Sequence, residues 1–225
     1  MKQTVGLMLV VRNEIKRIKE CLDWYLPYVD EVAIADQQST DGTWHELVSY
    51  QKRVMKERGN IFHIFRDINY GYCEPSKQKT ADLLKTDWIL YVDPDEVFPV
   101  KFLQIMHKQV EDERYDGYRF PRYNVFHVQV FDENVPIEPK WLEIIHPKKD
   151  YQTKLTRRKV SVFPTYLHNR VRVERNGQKL IYDLPYVIRH IKTLQEQWED
   201  NKRYREVNRE NIVKNGRENV GEWFL

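Results

Sequence analysis

Val5 to Val11 is nearly all apolar, and it stops abruptly at Arg12-Asn13-Glu14. A run of that length, rich in β-branched residues and bounded by polar ones, is expected as a strand covered on both faces. The period then changes. Ile15, Ile18, Leu22 and Leu26 fall on one helical face with Lys16, Lys19 and Asp23 away from it, so a helix is predicted, with Asn13 as its cap and Pro27 as its stop. The alternation repeats. Glu31 to Ala35 reads as a strand ending at Asp36, and the polar turn from Gln37 to Thr43 feeds a helix carrying Trp44, Leu47, Val48 and Met55. Ile61 to Phe65 is a third strand, Asn69 to Tyr72 a loop, Pro75 to Leu84 a helix, and Trp88 to Val92 a fourth strand. Such an order predicts an α/β layer of mainly parallel strands joined by right-handed crossovers.

Beyond Pro99 a short helix is expected around Phe102, Leu103, Ile105 and Met106, after which the character shifts. Tyr118 to Tyr123 and Val125 to Phe131 read as strand segments, and Lys154 to Val162 as another. Val135 to Pro147 holds three prolines around Trp141 and reads as an irregular loop. Arg170 to Glu174 followed by Asn176-Gly177 is a hairpin signal, and Tyr186 to Ile188 a short strand. Thr193 to Val213 is a highly charged helix with Leu194, Trp198, Tyr204 and Val207 as scattered contacts. The predicted division is one domain over 1–190, with a donor-binding half 1–98 and an acceptor-side half 99–190, and a helical extension over 191–225.

Fourteen Tyr and six Trp suit a pocket that is both apolar and hydrogen-bonding, and serve equally as ordinary packing. The net charge of +3 is unevenly spread: ten Lys or Arg lie between Lys148 and Lys179 against only Asp150 and Glu174. That run favours an anionic partner such as a nucleotide, a phosphorylated molecule, a nucleic acid or a membrane surface; a solvated face explains any single charge as well. Cys21 and Cys73 have neither metal-ligand spacing nor a disulfide framework. The apolar start is too short for a signal peptide or a spanning helix, so a cytoplasmic location is expected, with attachment at a membrane surface or residence in a virus-infected cell left open.

At the end of the fourth strand stand Asp93, Pro94, Asp95 and Glu96. The crevice beyond the carboxyl ends of such strands is where α/β sheets bind ligands. Two carboxylates fixed there suit a hard divalent cation carrying phosphates, and on spacing alone they suit a helix cap equally. Arg12-Asn13-Glu14 and Asp36 reach the same rim. Neither GxGxxG nor GxxxxGK[ST] is present, which argues against a dinucleotide enzyme or a P-loop ATPase.

These segments resemble the family 2 glycosyltransferases of the GT-A fold, especially the small bacterial and viral branch related to lipopolysaccharide core glucosyltransferases. The likeness is carried by Val10 to Glu14, Asp36 to Thr43, Gln78 to Ala81, and Asp87 to Glu96, where the family's DxD motif stands as Asp-Pro-Asp. Weaker likeness continues through Pro147 to Arg158, His168-Asn169 and Ile188 to His190. The resemblance implies a nucleoside-diphosphate sugar as donor, UDP favoured, and Mn²⁺ or Mg²⁺ as cofactor. It implies that the main chain at Val11 and Arg12, with Glu14, holds the nucleoside, and that Asp36 contacts base or ribose while Asp41 shapes its loop. Lys79 is expected at the diphosphate or sugar, Asp93 at the ribose or donor sugar, and Asp95 on the metal, with Asp93 and His190 as further candidate ligands.

Transfer in this family usually inverts the anomeric carbon, which needs a general base on the acceptor side. Relatives tend to carry His-Glu where this chain has His168-Asn169, and Asn169 cannot take a proton. Asp150 is the first candidate base and His168 the second. Two further readings stay open: transfer to a nucleic-acid base, with the Lys148 to Lys179 basic run tracking phosphates and Trp141, Tyr151 or Tyr166 stacking, and, from Asn169, a sugar-nucleotide binder with weakened catalysis. The acceptor and any oligomer are left open.

Overall fold

The computed structural model describes residues 2–59, 61–130, 140–145, 150–167, 170–178 and 180–215, with the backbone alone for 127–130, 140–144 and 208–215. The first half alternates as expected: β1 (Val5–Val11), α1 (Ile18–Tyr25), β2 (Glu31–Asp36), α2 (Thr43–Arg58), β3 (Phe62–Arg66), α3 (Glu74–Leu83) and β4 (Trp88–Tyr91). The second half is built from β5 (Glu96–Val97), α4 (Val100–Gln109), β6 (Gly117–Val130), β7 (Lys140–Ile145), β8 (Asp150–Arg157), β9 (Ser161–Val162), β10 (Arg172–Val173), β11 (Ile181–Asp183), β12 (Ile188–Thr193) and α5 (Leu194–Asn215).

One sheet runs through both halves in the order β3-β2-β1-β4-β8-β6-β12-β5, with β7 and β11 also paired to β6. The β3-β2-β1-β4 part is parallel throughout. Its order reverses between β1 and β4: the chain steps outward from β1 to β3, then returns to the other side of β1. Connections diverge at that switch point and leave a crevice at the strand tips. Every residue of β1, β2 and β4 is buried, as their unbroken apolar runs require. Gly6 leaves room in β1 for Thr86 and Leu84: a Cβ there would fall 2.6 Å from Thr86 Oγ1 and push that side chain aside.

The core joins the two halves. Trp88 stacks on Tyr118 with ring centroids 5.6 Å apart, and Phe98, Phe102 and Phe120 form an edge-to-face cluster. Several expectations are corrected. Asn13 does not cap α1: it adopts φ 58°, its side chain accepts from Thr40 N–H, and α1 starts only at Ile18. Ile15 accordingly lies half exposed. Of Val135 to Pro147, predicted as an irregular loop, Lys140–Ile145 is a strand paired antiparallel with β6, and the rest lies outside the described residues. The two segments predicted over 118–131 are one strand. Asn176 and Gly177, at φ 51° and 76°, make the tight turn expected of them, closed by a bridge between Arg175 and Gln178, while β10 pairs with β9.

Candidate functional site

A cavity of about 670 Å³ opens at the β1–β4 switch point. Val10, Val11 and Arg12 line it from the tip of β1, Tyr91, Asp93, Pro94 and Asp95 from the tip of β4, His190 and Lys192 from β12, and Asp150 from β8. Its β1 rim is stitched to the loop after β2. Asn13 N–H donates to Ser39 Oγ (2.9 Å) and Glu14 N–H to Thr43 Oγ1 (2.8 Å). Asp41 accepts from Ile15 N–H (3.0 Å) and from the amide and hydroxyl of Thr43. Asp41 thus ties two loops together and does not line the cavity.

The acidic turn is held from below by Glu96, a residue that spacing alone leaves without a role. Its side chain is fully buried, takes Lys154 at 2.6 Å and Arg122 at 3.1 Å, and accepts from Asp93 N–H. Tyr25 Oη donates to Glu96 O at 2.7 Å and accepts from Phe98 N–H, so α1 clamps the strand that follows the turn.

The two aspartates have different surroundings. Asp93 has both oxygens engaged, one by Tyr91 Oη at 2.5 Å and one by Lys154 Nζ at 3.0 Å. Burial pushes its carboxyl up, but the ammonium groups of Lys154 and Lys77 outweigh that and hold it well below the usual carboxylate range. Asp95 shares Oδ2 between His190 Nε2 (3.1 Å) and Lys192 Nζ (3.3 Å), while Oδ1 is buried with no hydrogen-bond partner among the described residues. It too is held low against its burial, by His190, Lys192 and Arg17. Ile191 N–H donates to Asp95 O at 2.8 Å, which fixes the aspartate beside β12.

Asp95 and His190 together fit a divalent cation. A buried carboxylate oxygen without a partner is costly unless something positive completes it. The Nδ1 of His190 faces Asn124 Oδ1 at 2.7 Å, a contact that orients the ring so that Nε2 points at Asp95. Among the described residues no group of three or more His, Cys, Asp or Glu side chains gathers as a metal cage. Asp93, expected as a third ligand, is turned to Tyr91 and Lys154 instead. Cations of the Mg²⁺ type commonly take one or two protein ligands and fill the rest with water and substrate phosphate, so a two-residue set is sufficient.

The remaining expected residues are dispersed. Glu14 lies in the cavity, and burial together with the Asp95 charge pushes its carboxyl up to about 8. Asp36 is fully buried at the tip of β2, next to a shallower cavity of about 460 Å³ lined by Ser39, Arg66 and Ile68. One of its oxygens accepts from Ser39 N–H (3.2 Å) and lies 3.4 Å from Arg66 Nε, while the other has no partner among the described residues. Lys79 does not line the main cavity: it is half exposed and spent on Asp67 at 2.9 Å and Tyr70 at 3.1 Å. Two residues earlier on α3, a different helical face, Lys77 does line it. Lys77 is buried, with Glu74 at 3.5 Å and the Tyr91 ring centroid at 4.6 Å. Burial lowers its ammonium, and Cys73, Glu74 and Asp93 raise it to a net position above its ordinary value. A buried cation facing the site was legible in the spacing only if α3 had been wound in the right register.

Asp150 lines the cavity from β8 and is gripped by Arg122 Nη2 (3.2 Å), Arg170 Nη2 (3.4 Å) and Gln152. His168, Asn169 and the side chain of Trp141 lie outside the described residues. In the described part of the basic run, Lys154 serves Asp93 and Glu96, Arg157 and Arg175 serve Asp116, and Arg158 donates to Thr86 O. No helix among the described residues is long and apolar enough to cross a membrane.

Comparison with known proteins places this geometry. The chain matches TarS of Staphylococcus aureus, residues 1–349 in complex with UDP-GlcNAc, at a TM-score of 0.56 and 15% identity, over 93% of this chain and 66% of that one. It spans 65% of the same TarS fragment in another of its structures. GalNAc-T7 with UDP, GalNAc and Mn²⁺ matches at 0.54 and 11% identity, over 86% of this chain and 44% of that one. Both are glycosyltransferases of the GT-A fold, and at such identities the likeness is one of fold. No curated protein matches. The model of glycosyl transferase family 2 matches residues 7–175. That match covers most of the sequence, and the chain therefore belongs to glycosyl transferase family 2, a family of glycosyltransferases.

Proposed function

We propose that the protein moves a hexose from a nucleoside-diphosphate sugar, UDP-linked by preference, onto an acceptor, with inversion and with Mn²⁺ or Mg²⁺ held by Asp95 and His190. The observation that carries this reading is the partnerless buried Oδ1 of Asp95 beside the His190 imidazole in the switch-point cavity. The neighbours' complexes with UDP, UDP-GlcNAc and Mn²⁺ support the choice of donor and cation. Bound there, the cation supplies charge that stabilises the departing diphosphate more than the intact donor.

The protein's own groups do the rest. Asp36, buried at the tip of β2, holds Ser39 N–H and lies beside Arg66, and so braces the loop next to the nucleoside, which the fixed main chain at Val11 and Arg12, with Glu14, holds in the main cavity. Asp93, already neutralised by Lys154, offers its carboxylate to ribose or sugar hydroxyls. Lys77 takes the place expected of Lys79 and faces the diphosphate. On the acceptor side Asp150 takes the proton of the attacking group. The new bond forms to the anomeric carbon as the bond to the phosphate oxygen breaks, and the electron pair leaves with the nucleoside diphosphate. Arg122 and Arg170 hold Asp150 from two sides and so fix its direction.

The test is calorimetric binding of UDP with and without Mn²⁺, followed by turnover of a sugar-nucleotide panel. Mn²⁺ should tighten UDP binding to the wild type, and Asp95→Asn should abolish that tightening while preserving the melting profile. Equal UDP affinity in Mn²⁺ and in EDTA would remove the cation from the site.

A further inference from the structure

Lys192 stands between two carboxylates that come from different parts of the chain. Its Nζ lies 3.3 Å from Asp95 Oδ2 and 2.5 Å from Asp200 Oδ2. Asp95 is the carboxylate of the candidate cation site, and Asp200 sits on α5 within the wall of the same cavity. The side chain of Lys192 is only 14% exposed, so it cannot cheaply exchange either partner for water.

The ammonium and a divalent cation compete for one carboxylate. Both are positive, and at contact distance in a site shielded from water their repulsion is large. When a cation arrives, Lys192 must release Asp95, and Asp200 is the partner that lets it do so without becoming an unpaired buried charge. Asp200 is itself well placed for this. Its other oxygen accepts from Arg203 Nη2 at 2.6 Å, which leaves Oδ2 for Lys192. The first turn of α5 is locked as well: Glu196 accepts from Thr193 N–H and returns its own N–H to Thr193 Oγ1, and it takes both Arg17 contacts at 2.6 and 2.7 Å. The helix therefore presents Asp200 at a fixed place beside the lysine.

We propose that Asp200 is a positioning residue for the cation site: by drawing Lys192 away from Asp95, the last helix sets how tightly the site takes a divalent cation. This rests on the cation reading above and adds to it a dependence on α5.

The experiment reads the Mn²⁺ concentration that half-maximally tightens UDP binding, by calorimetry on the full chain. Lys192→Met removes the competitor and should lower that concentration about fivefold, whereas Asp200→Asn leaves Lys192 leaning on Asp95 and should raise it about fivefold. Simple charge bookkeeping predicts the same two signs, so the double variant decides. If Asp200 acts through Lys192, Asp200→Asn has no further effect once Lys192 is Met. An undiminished Asp200→Asn effect in the Lys192→Met background overturns the proposal while leaving the cation site standing, and so does a shift of both single variants in one direction. A wild type whose UDP affinity ignores Mn²⁺ overturns the cation reading and the proposal together.

Discussion

At the level of single residues, two lysines two positions apart on α3 have opposite fates. Lys77 is buried in the cavity beside Glu74 and the Tyr91 ring, while Lys79 pairs with Asp67 at the surface. Lys77→Met should weaken UDP binding about tenfold and leave uridine binding unchanged, because the lost contact is to phosphate. Lys79→Met should change neither by more than about twofold. Equal losses for UDP and uridine would show that Lys77 only packs. Glu14 makes a pH prediction. Its carboxyl, raised from 4.5 to about 8, keeps in the folded protein a proton that the unfolded chain gives up. Stability from this group is therefore lost as pH climbs from about 4.5 to about 8 and is level beyond. Glu14→Gln carries no such proton, so in EDTA its Tm should gain on the wild type across that window by a few degrees. A Tm difference independent of pH would contradict the assignment.

Among the elements, the short strand β5 has the largest consequence for its size. It is two residues long, yet its pairing with β12 sets His190 opposite Glu96 and brings the imidazole to Asp95. Tyr25 on α1 holds that strand through both its hydrogen bonds. Tyr25→Phe would leave Glu96 O and Phe98 N–H without their buried partner, at a cost of about 1–3 kcal/mol in denaturant unfolding. It should also weaken the Mn²⁺ effect on UDP; an unchanged unfolding midpoint would mean that water replaces the hydroxyl. The legibility of the sequence follows the same division. β1 to β4 and α2 to α4 were readable, because fully buried parallel strands leave continuous apolar runs and the helices a different period. β5 and β7 were not: two residues carry no period, and the prolines flanking β7 spoke for a loop while its partner β6 lay some fifteen residues back. The acidic pair and His190 could be picked out as candidates for one site, but their unequal surroundings could not, since these depend on Lys154 and Lys192 arriving from distant strands. Asn13 misled because Asn is at home both at a helix cap and in the left-handed region it occupies.

Across the molecule, the first and second halves of the chain share one sheet. β4 is paired to β8, β8 to β6 and β6 to β12, and the aromatic core crosses the same boundary. Heat should therefore melt residues 1–193 in one cooperative transition, with calorimetric and van't Hoff enthalpies equal and near- and far-UV signals coincident. Two separated transitions would show that the halves are independent units. The seating of β12 between β6 and β5 also orders events in time. A ribosome delivers Asp95 early and His190 almost a hundred codons later, so a nascent chain exposes the carboxylate long before the imidazole that pairs with it exists. On the reading proposed above, competence to engage a donor arrives with the final strand, and a polypeptide released early carries the acidic turn with nothing to close upon it.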